Sequence, residues 1–224
     1  MKLNIRTLCA SAAALAATLM ISGCFKLPEI PVINGPYIQV YYDGHIECMV
    51  ANMDDSGPVI YFELFGTEDN PIVSYSTSSQ GDKKAVYDSL CNKHSDYGYH
   101  GEDRYANEPL KKCYAKDIVS FDVVSNSDFD KNHPAGSSLK DIIVFDGYSP
   151  YRWIKSGYSG EPYFTHTRTT ADKVVEDDLK LLCAIQLFTL RFSTIPTNSS
   201  AHTLTITLVT DDGKSHVYER QVFF

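Results

Sequence analysis

The sequence predicts a mainly β protein, and three observations carry that prediction. Thr203 to Thr210 alternates threonine with Leu204, Ile206 and Leu208, the period of a half-buried strand. Leu181 to Phe192 is nearly continuously apolar, as expected of a central strand covered on both faces, with a helix through Val175 to Leu190 as the alternative. Elsewhere, short strand-like runs are separated by clusters of Asp, Gly, Asn and Ser. Together these suggest an antiparallel immunoglobulin-like β-sandwich with long loops and a few short helices.

In chain order, Lys2 and Arg6 precede an apolar run from Leu8 to Ile21 that ends in Ile21-Ser22-Gly23-Cys24. The run is shorter than the ~20 residues of a spanning helix, and with its charged start it reads as a removed export signal. The terminal tetrad resembles the lipobox of bacterial lipoproteins. That resemblance implies a signal peptide over residues 1–23 and a mature N-terminus at Cys24, which carries a diacylglycerol thioether and an amide-linked acyl chain such as palmitate. One myristoyl-sized chain binds only marginally, so several chains imply lasting membrane attachment. Residues 24–36, with Pro28, Pro31 and Pro36, read as a semi-rigid tether. Phe25 stands where enteric bacteria place an aspartate to retain lipoproteins in the inner membrane, so the analogy favours the outer membrane. Phe25-Lys26-Leu27-Pro28-Glu29 lacks an acidic surface-export run, which favours the periplasmic face over the cell surface.

Residues 37–224 are read as one β-sandwich domain. The chain carries 20 basic and 28 acidic side chains, and loss of Lys2 and Arg6 makes the balance more acidic still. Such a surface argues against nucleic acid as a partner and gives no help in lying on anionic headgroups. The expected partners are the membrane, through the lipid, and an envelope protein or glycan.

Cys9 leaves with the signal and Cys24 takes the lipid, so Cys48, Cys91, Cys113 and Cys183 remain for the body. An even number in an exported chain favours two disulfides over thiols or metal. Cys91 and Cys113 flank a polar, Gly- and Tyr-bearing stretch and form the first expected pair, worth about 3 kcal/mol on the chain-entropy account. Cys48 with Cys183 follows by elimination, with ordinary buried thiols as the other reading.

From Tyr37 the pattern turns β-like. Tyr37 to Tyr42, Asp43-Gly44 and His45 to Val50 make a hairpin candidate, followed by a strand over Val59 to Phe65. Residues 66–110 show little periodicity and are expected to form a long excursion held by the Cys91 and Cys113 pair, not a second core. Ile118 to Val124 reads as a strand, and Ser137 to Ile142, Tyr151 to Lys155 and Ala171 to Asp178 as short helical turns. At the C-terminus a three-residue loop, Asp211-Asp212-Gly213 with Gly213 left-handed, sets Ile206 opposite Tyr218 and Leu208 opposite His216. A two-residue loop would pair Ile206 with Glu219, so the apolar pairing selects the longer loop, although it leaves Arg220 opposite Leu204.

Motifs for chemistry are sparse. The sequence contains no HExxH, CxxC, phosphate loop or GxGxxG, and no cofactor is expected. Gly157-Tyr158-Ser159-Gly160 misses the GxSxG nucleophile pattern by one residue and reads as a surface turn. Asp128, Asp130 and Asn132 have the oxygen spacing that opens a calcium loop, but His133 stands where that loop needs glycine and Leu139 where it needs glutamate. Turn and capping duty is the preferred reading of these carboxylates, and a turn or packing role that of His133.

The segment Asp128 to Asp141, which includes His133-Pro134-Ala135-Gly136-Ser137-Ser138-Leu139, resembles a group of uncharacterised lipoproteins of gut Bacteroidetes, together with Cys113 to Ser125 and Ser149-Pro150. The resemblance covers about half the mature chain and implies an anchored globular domain with no catalytic residues to carry over. It also makes Asp88-Ser89-Leu90 similar to the short O-glycosylation signal of that phylum.

Two function classes follow. The first is a non-catalytic binding or assembly module whose aromatic stretch, Tyr148, Tyr151, Trp153, Tyr158, Tyr163 and Phe164, stacks on sugars or meets a protein. In the alternative use of the same rings, they cover the sandwich edge. The second class is an envelope hydrolase acting on a polymer through loop carboxylates such as Glu161 or Asp146.

Overall fold

The computed structural model describes residues 32–52, 57–102, 111–160, 164–197 and 200–224. The lipobox, Cys24, the tether as far as residue 31, Glu161 and Tyr163 lie outside these residues.

The alternating C-terminal segment forms the hairpin its pattern predicts. β12 (Ala201–Thr210) pairs with β13 (Ser215–Phe223) so that Ile206 faces Tyr218 and Leu208 faces His216. Gly213, at φ +78°, makes the left-handed step of the three-residue loop, a conformation that L side chains rarely adopt. Leu204, Ile206 and Leu208 are fully buried, whereas the intervening threonines are half-buried. Arg220 stands opposite Leu204, and its guanidinium reaches past the sheet to the Cys48 carbonyl (2.7 Å) and the Glu47 carboxylate (2.7 Å).

On the other side of β12 lies β8 (Ile118–Ser125), completing a three-stranded antiparallel sheet. Facing it is a five-stranded antiparallel sheet in the order β10 (Thr165–Thr170), β9 (Ile143–Ser149), β11 (Phe188–Phe192), β4 (Pro58–Phe65) and β3 (His45–Asn52). Side chains from both sheets fill the space between. Phe121 of β8 lies 5.8 Å from Phe188 and 5.9 Å from Phe145, and Tyr218 lies 6.2 Å from Phe62, ring centre to ring centre. The protein is therefore mainly β and built on an antiparallel sandwich.

The central strand is shorter than its apolar run. Only Phe188–Phe192 is strand, and no helix runs through Val175 to Leu190. Leu181 has φ 49°, and Leu182 and Leu187 are buried from loop positions, so this run reads as apolar because it plugs the core and not because it spans it.

Within residues 37–110 two expectations are overturned. The Asp43-Gly44 hairpin does not form: β2 (Val40–Asp43) pairs antiparallel with β5 (Val73–Ser76) and parallel with β7 (Lys112–Tyr114), while β3 pairs with β4. The cause is competition between cores. Tyr41 is buried in a second cluster and Ile46 in the sandwich, so the chain passes between them at Gly44, where an added Cβ would lie 3.2 Å from Ile72 Cγ1. That second cluster is itself the other correction, because described residues of the 66–110 stretch, Tyr87 and Cys91 among them, help to build a core and do not merely loop away.

Its elements are the β5-β2-β7 sheet, a pair formed by β1 (Val32–Gly35) and β6 (Tyr99–Glu102), and the helices α1 (Asp82–His94) and α2 (Tyr151–Lys155). On α1, Tyr87, Cys91 and His94 recur at helical spacing and face inward. Ser95, left-handed at φ 57°, ends the helix, and Asp96 N–H donates to the Cys91 carbonyl at 2.8 Å. The fully buried Asp96 carboxylate accepts from Tyr37 N–H (2.7 Å), Ile38 N–H (2.8 Å) and Tyr158 Oη (2.9 Å). The predicted helical turns appear as α2 and as 3₁₀ turns over Lys140–Ile142, Ala171–Lys173 and Glu176–Leu179. No helix among the described residues is long and apolar enough to cross a membrane.

Candidate functional site

A cleft of about 300 Å³ opens where the second core meets the sandwich. The last turn of α1 supplies Lys93 and His94, the approach to β8 supplies Asp117, and α2 supplies its first residue, Tyr151. The 3₁₀ turn Glu176–Leu179 adds Glu176, Lys180 follows directly after it, and the β12–β13 turn adds Asp211. These positions converge because Lys93 and His94, at the end of α1, reach Asp117 at the approach to β8, and the 3₁₀ turn Glu176–Leu179 packs on β8.

Asp117 is the hub. Its buried carboxylate takes Lys93 Nζ at 2.8 Å and Leu181 N–H at 3.2 Å, with His94 Nε2 at 3.7 Å. Lys93 also bonds Asp211. Burial disfavours the Lys93 ammonium, but its bonds to Asp117 and Asp211 outweigh this and raise its pKa. His94 goes the other way, because burial pushes its imidazole down to about 4 against the pull of Asp117. At neutral pH the cleft therefore holds a neutral imidazole beside fixed ion pairs. Lys180 bonds Glu176 at 2.6 Å and stands over the Tyr151 ring at 5.1 Å, with Lys155 at 5.6 Å from the same ring.

The aromatic stretch does not form one surface patch. Trp153 is 5% exposed, with Tyr37 meeting it edge-on at 4.8 Å and Tyr99 and Tyr158 beside it, so it belongs to the second core. Tyr158 lies half-buried there, bonded to Asp96. Tyr151 reaches the cleft. Tyr148 is exposed on β9, stacked on His166 at 4.2 Å and near Phe164 at 5.9 Å, and Tyr163 is outside the described residues. The shared signal of clustered rings thus came from three separate environments.

The four body cysteines are buried, and neither expected disulfide is formed. Cys48 lies in the sandwich core, whereas Cys91 and Cys113 share the second. Cys183 stands opposite Cys113 in an antiparallel bridge, so the chain brings together a different pair from those read by spacing and elimination.

Asp146 pairs with His166 (2.8 Å) and Arg168 (3.8 Å) on the outer face of β9 and β10, away from the cleft. Asp128 and Asp130 serve the turn: Asp128 accepts Ala135 N–H at 2.8 Å, and Asp130 accepts Asn132 N–H at 2.7 Å. His133 is held between Asp130 (2.8 Å) and Asp141 (3.0 Å), the turn role expected of it. Among the described residues no group of three His, Cys, Asp or Glu is placed to hold a metal. Gly157 to Gly160 is a turn in which Gly157, Tyr158 and Gly160 all have positive φ, and Ser89 is exposed on α1.

No protein-family model matches this chain, and no curated protein or solved structure matches it either.

Proposed function

We propose that this chain is a lipid-anchored cell-envelope protein acting as a non-catalytic binding or assembly module, with the cleft at Lys93, Tyr151 and Lys180 as its contact site. One observation carries the cleft: its charges are fixed in advance, Lys93 between Asp117 and Asp211 and Lys180 between Glu176 and the Tyr151 ring. Preset charges lower the ordering cost of binding and suit recognition of a polar partner. The neutral His94 is 3.7 Å from Asp117, a spacing that supports packing over proton relay. Anchoring rests on Cys24 and the lipobox, and the outer membrane with the periplasmic face is the proposed location. The partner is an envelope protein or a glycan chain.

A photo-crosslinking residue in place of Lys180 of the intact lipoprotein, followed by purification and identification of what is attached, tests the reading. One stoichiometric protein or one glycan is expected. Scattered neighbours alone would remove the cleft from consideration. Replacing Cys24 by serine moves the protein from the membrane to the soluble fraction if the anchor is as proposed.

A further inference from the structure

The register around Cys113 is unusual for two buried thiols that are far apart in sequence. Cys113, on β7, faces Cys183 across an antiparallel bridge. Tyr114 N–H donates to the Leu182 carbonyl at 2.9 Å, and Ala184 N–H donates to the Lys112 carbonyl at 2.9 Å. Bonds on both sides of the facing residues, with none between them, define the closely spaced pair of an antiparallel ladder, whose Cα atoms lie about 4.5 Å apart with side chains on the same face. That separation is inside the range a disulfide spans, about 4.4–6.8 Å. Both residues are buried, 0% and 6% exposed. Burial pushes the Cys113 thiol well above its usual range, and its interaction with Cys183 adds to that effect. Cys91 enters the same core from α1, where it leans on Tyr87, and has no such ladder partner.

We infer that Cys113 and Cys183 are joined by a disulfide in the mature protein, leaving Cys48 and Cys91 as thiols. Each of the two thiols loses a proton and an electron, and one S–S bond replaces two S–H bonds. The two electrons reduce the disulfide of a protein dithiol–disulfide oxidase to its dithiol, through a mixed disulfide with the chain. The exchange occurs during folding, before the second core closes, because thiolate formation is disfavoured once the sulfur is buried. The bond fixes β7 to the segment that carries Lys180 and Leu181, and so holds together the two walls that meet at Asp117.

The presence of the oxidant depends on the export reading, so the experiment has two arms. In the first, cells making the full-length protein are quenched with an alkylating agent, and non-reduced peptides are mapped by mass spectrometry. In the second, the purified chain is unfolded, reduced and refolded with reduced and oxidised glutathione before the same map. A Cys113–Cys183 linked peptide, with Cys48 and Cys91 alkylated, is expected in both. Linkage in the refolded protein alone upholds the pairing and removes the export reading. Four alkylated cysteines after refolding, or a link from Cys113 to Cys91, overturns the inference. The linked wild-type protein should lose several degrees of melting temperature on reduction, and a C113A/C183A chain none.

Discussion

Tyr218 Oη donates to the carbonyl oxygen of Ile46 at 2.6 Å, joining β13 of one sheet to β3 of the other across 172 residues of sequence. Two positions along each strand, Arg220 does the same for Cys48. β3 is an edge strand, so its outward carbonyls would otherwise be open to another chain, and two side chains of β13 occupy them. Replacing Tyr218 by phenylalanine keeps the ring against Phe62 and leaves the Ile46 carbonyl without this donor. A loss of about 1–2 kcal/mol in urea unfolding is expected, with unchanged secondary structure.

Asp96 gathers three donors, Tyr37 N–H, Ile38 N–H and the Tyr158 hydroxyl. Asp96→Ala strands two backbone N–H groups and a phenol in a buried region, and a loss of roughly 3 kcal/mol or more is expected. Amide hydrogen exchange at Tyr37 and Ile38 should accelerate well beyond the change at β12. Equal protection at both sites would contradict the role assigned to the carboxylate.

Two histidines give stability opposite slopes with pH. His94 is driven by burial from an ordinary value near 6.5 down to about 4, so between those values the unfolded chain binds the extra proton and stability falls as pH falls. The full effect is roughly 3 kcal/mol. For His133, slight burial opposes the charge, but its bonds to Asp130 and Asp141 win and raise its pKa. Its contribution is complete below 6.5 and is lost as pH rises through the raised value. Urea unfolding from pH 3.5 to 8 on His94→Gln and His133→Gln chains should flatten the acid limb in the first and the loss above pH 6.5 in the second.

Trp153 and Tyr148 separate core from surface within one sequence cluster. Trp153→Ala should cost about 3–5 kcal/mol, the range for a large buried ring, whereas Tyr148→Ala should stay within about 0.5 kcal/mol. Thermal unfolding of the two chains decides it. A Trp153 variant of wild-type stability would return that ring to the surface.

The sandwich was legible where a single segment carried its own pattern. The β12–β13 hairpin follows from threonine alternation and Gly213, and α2 stands where Tyr151 to Lys155 reads as a short helical turn. The second core was not legible as a core, because its members, from Tyr37 to Leu181, come from short segments far apart in the sequence. On α1 only Tyr87, Cys91 and His94 are buried, and these three types do not form the apolar stripe by which a helix is usually read. Their spacing of four and three, with Lys84 and Asp88 one turn apart, was the signal available. The cleft was hidden for a related reason, since its lining is drawn from positions between 93 and 211. The expected disulfides failed on the same ground: the polar stretch between Cys91 and Cys113 suggested that pair, while in the fold the residue facing Cys113 across a strand bridge is Cys183.

Leu181 sets an order on the birth of the molecule. It is fully buried in the same core cluster as residues as early as Tyr37 and Ile38, and its N–H closes on Asp117. A chain made from its N-terminus therefore holds β2, α1 and their tyrosines unfinished until residue 181 has emerged, with apolar and aromatic surface uncovered for most of synthesis. A nascent chain halted before that point should be bound by holdase chaperones and cut readily by protease, and one halted beyond it should resist both.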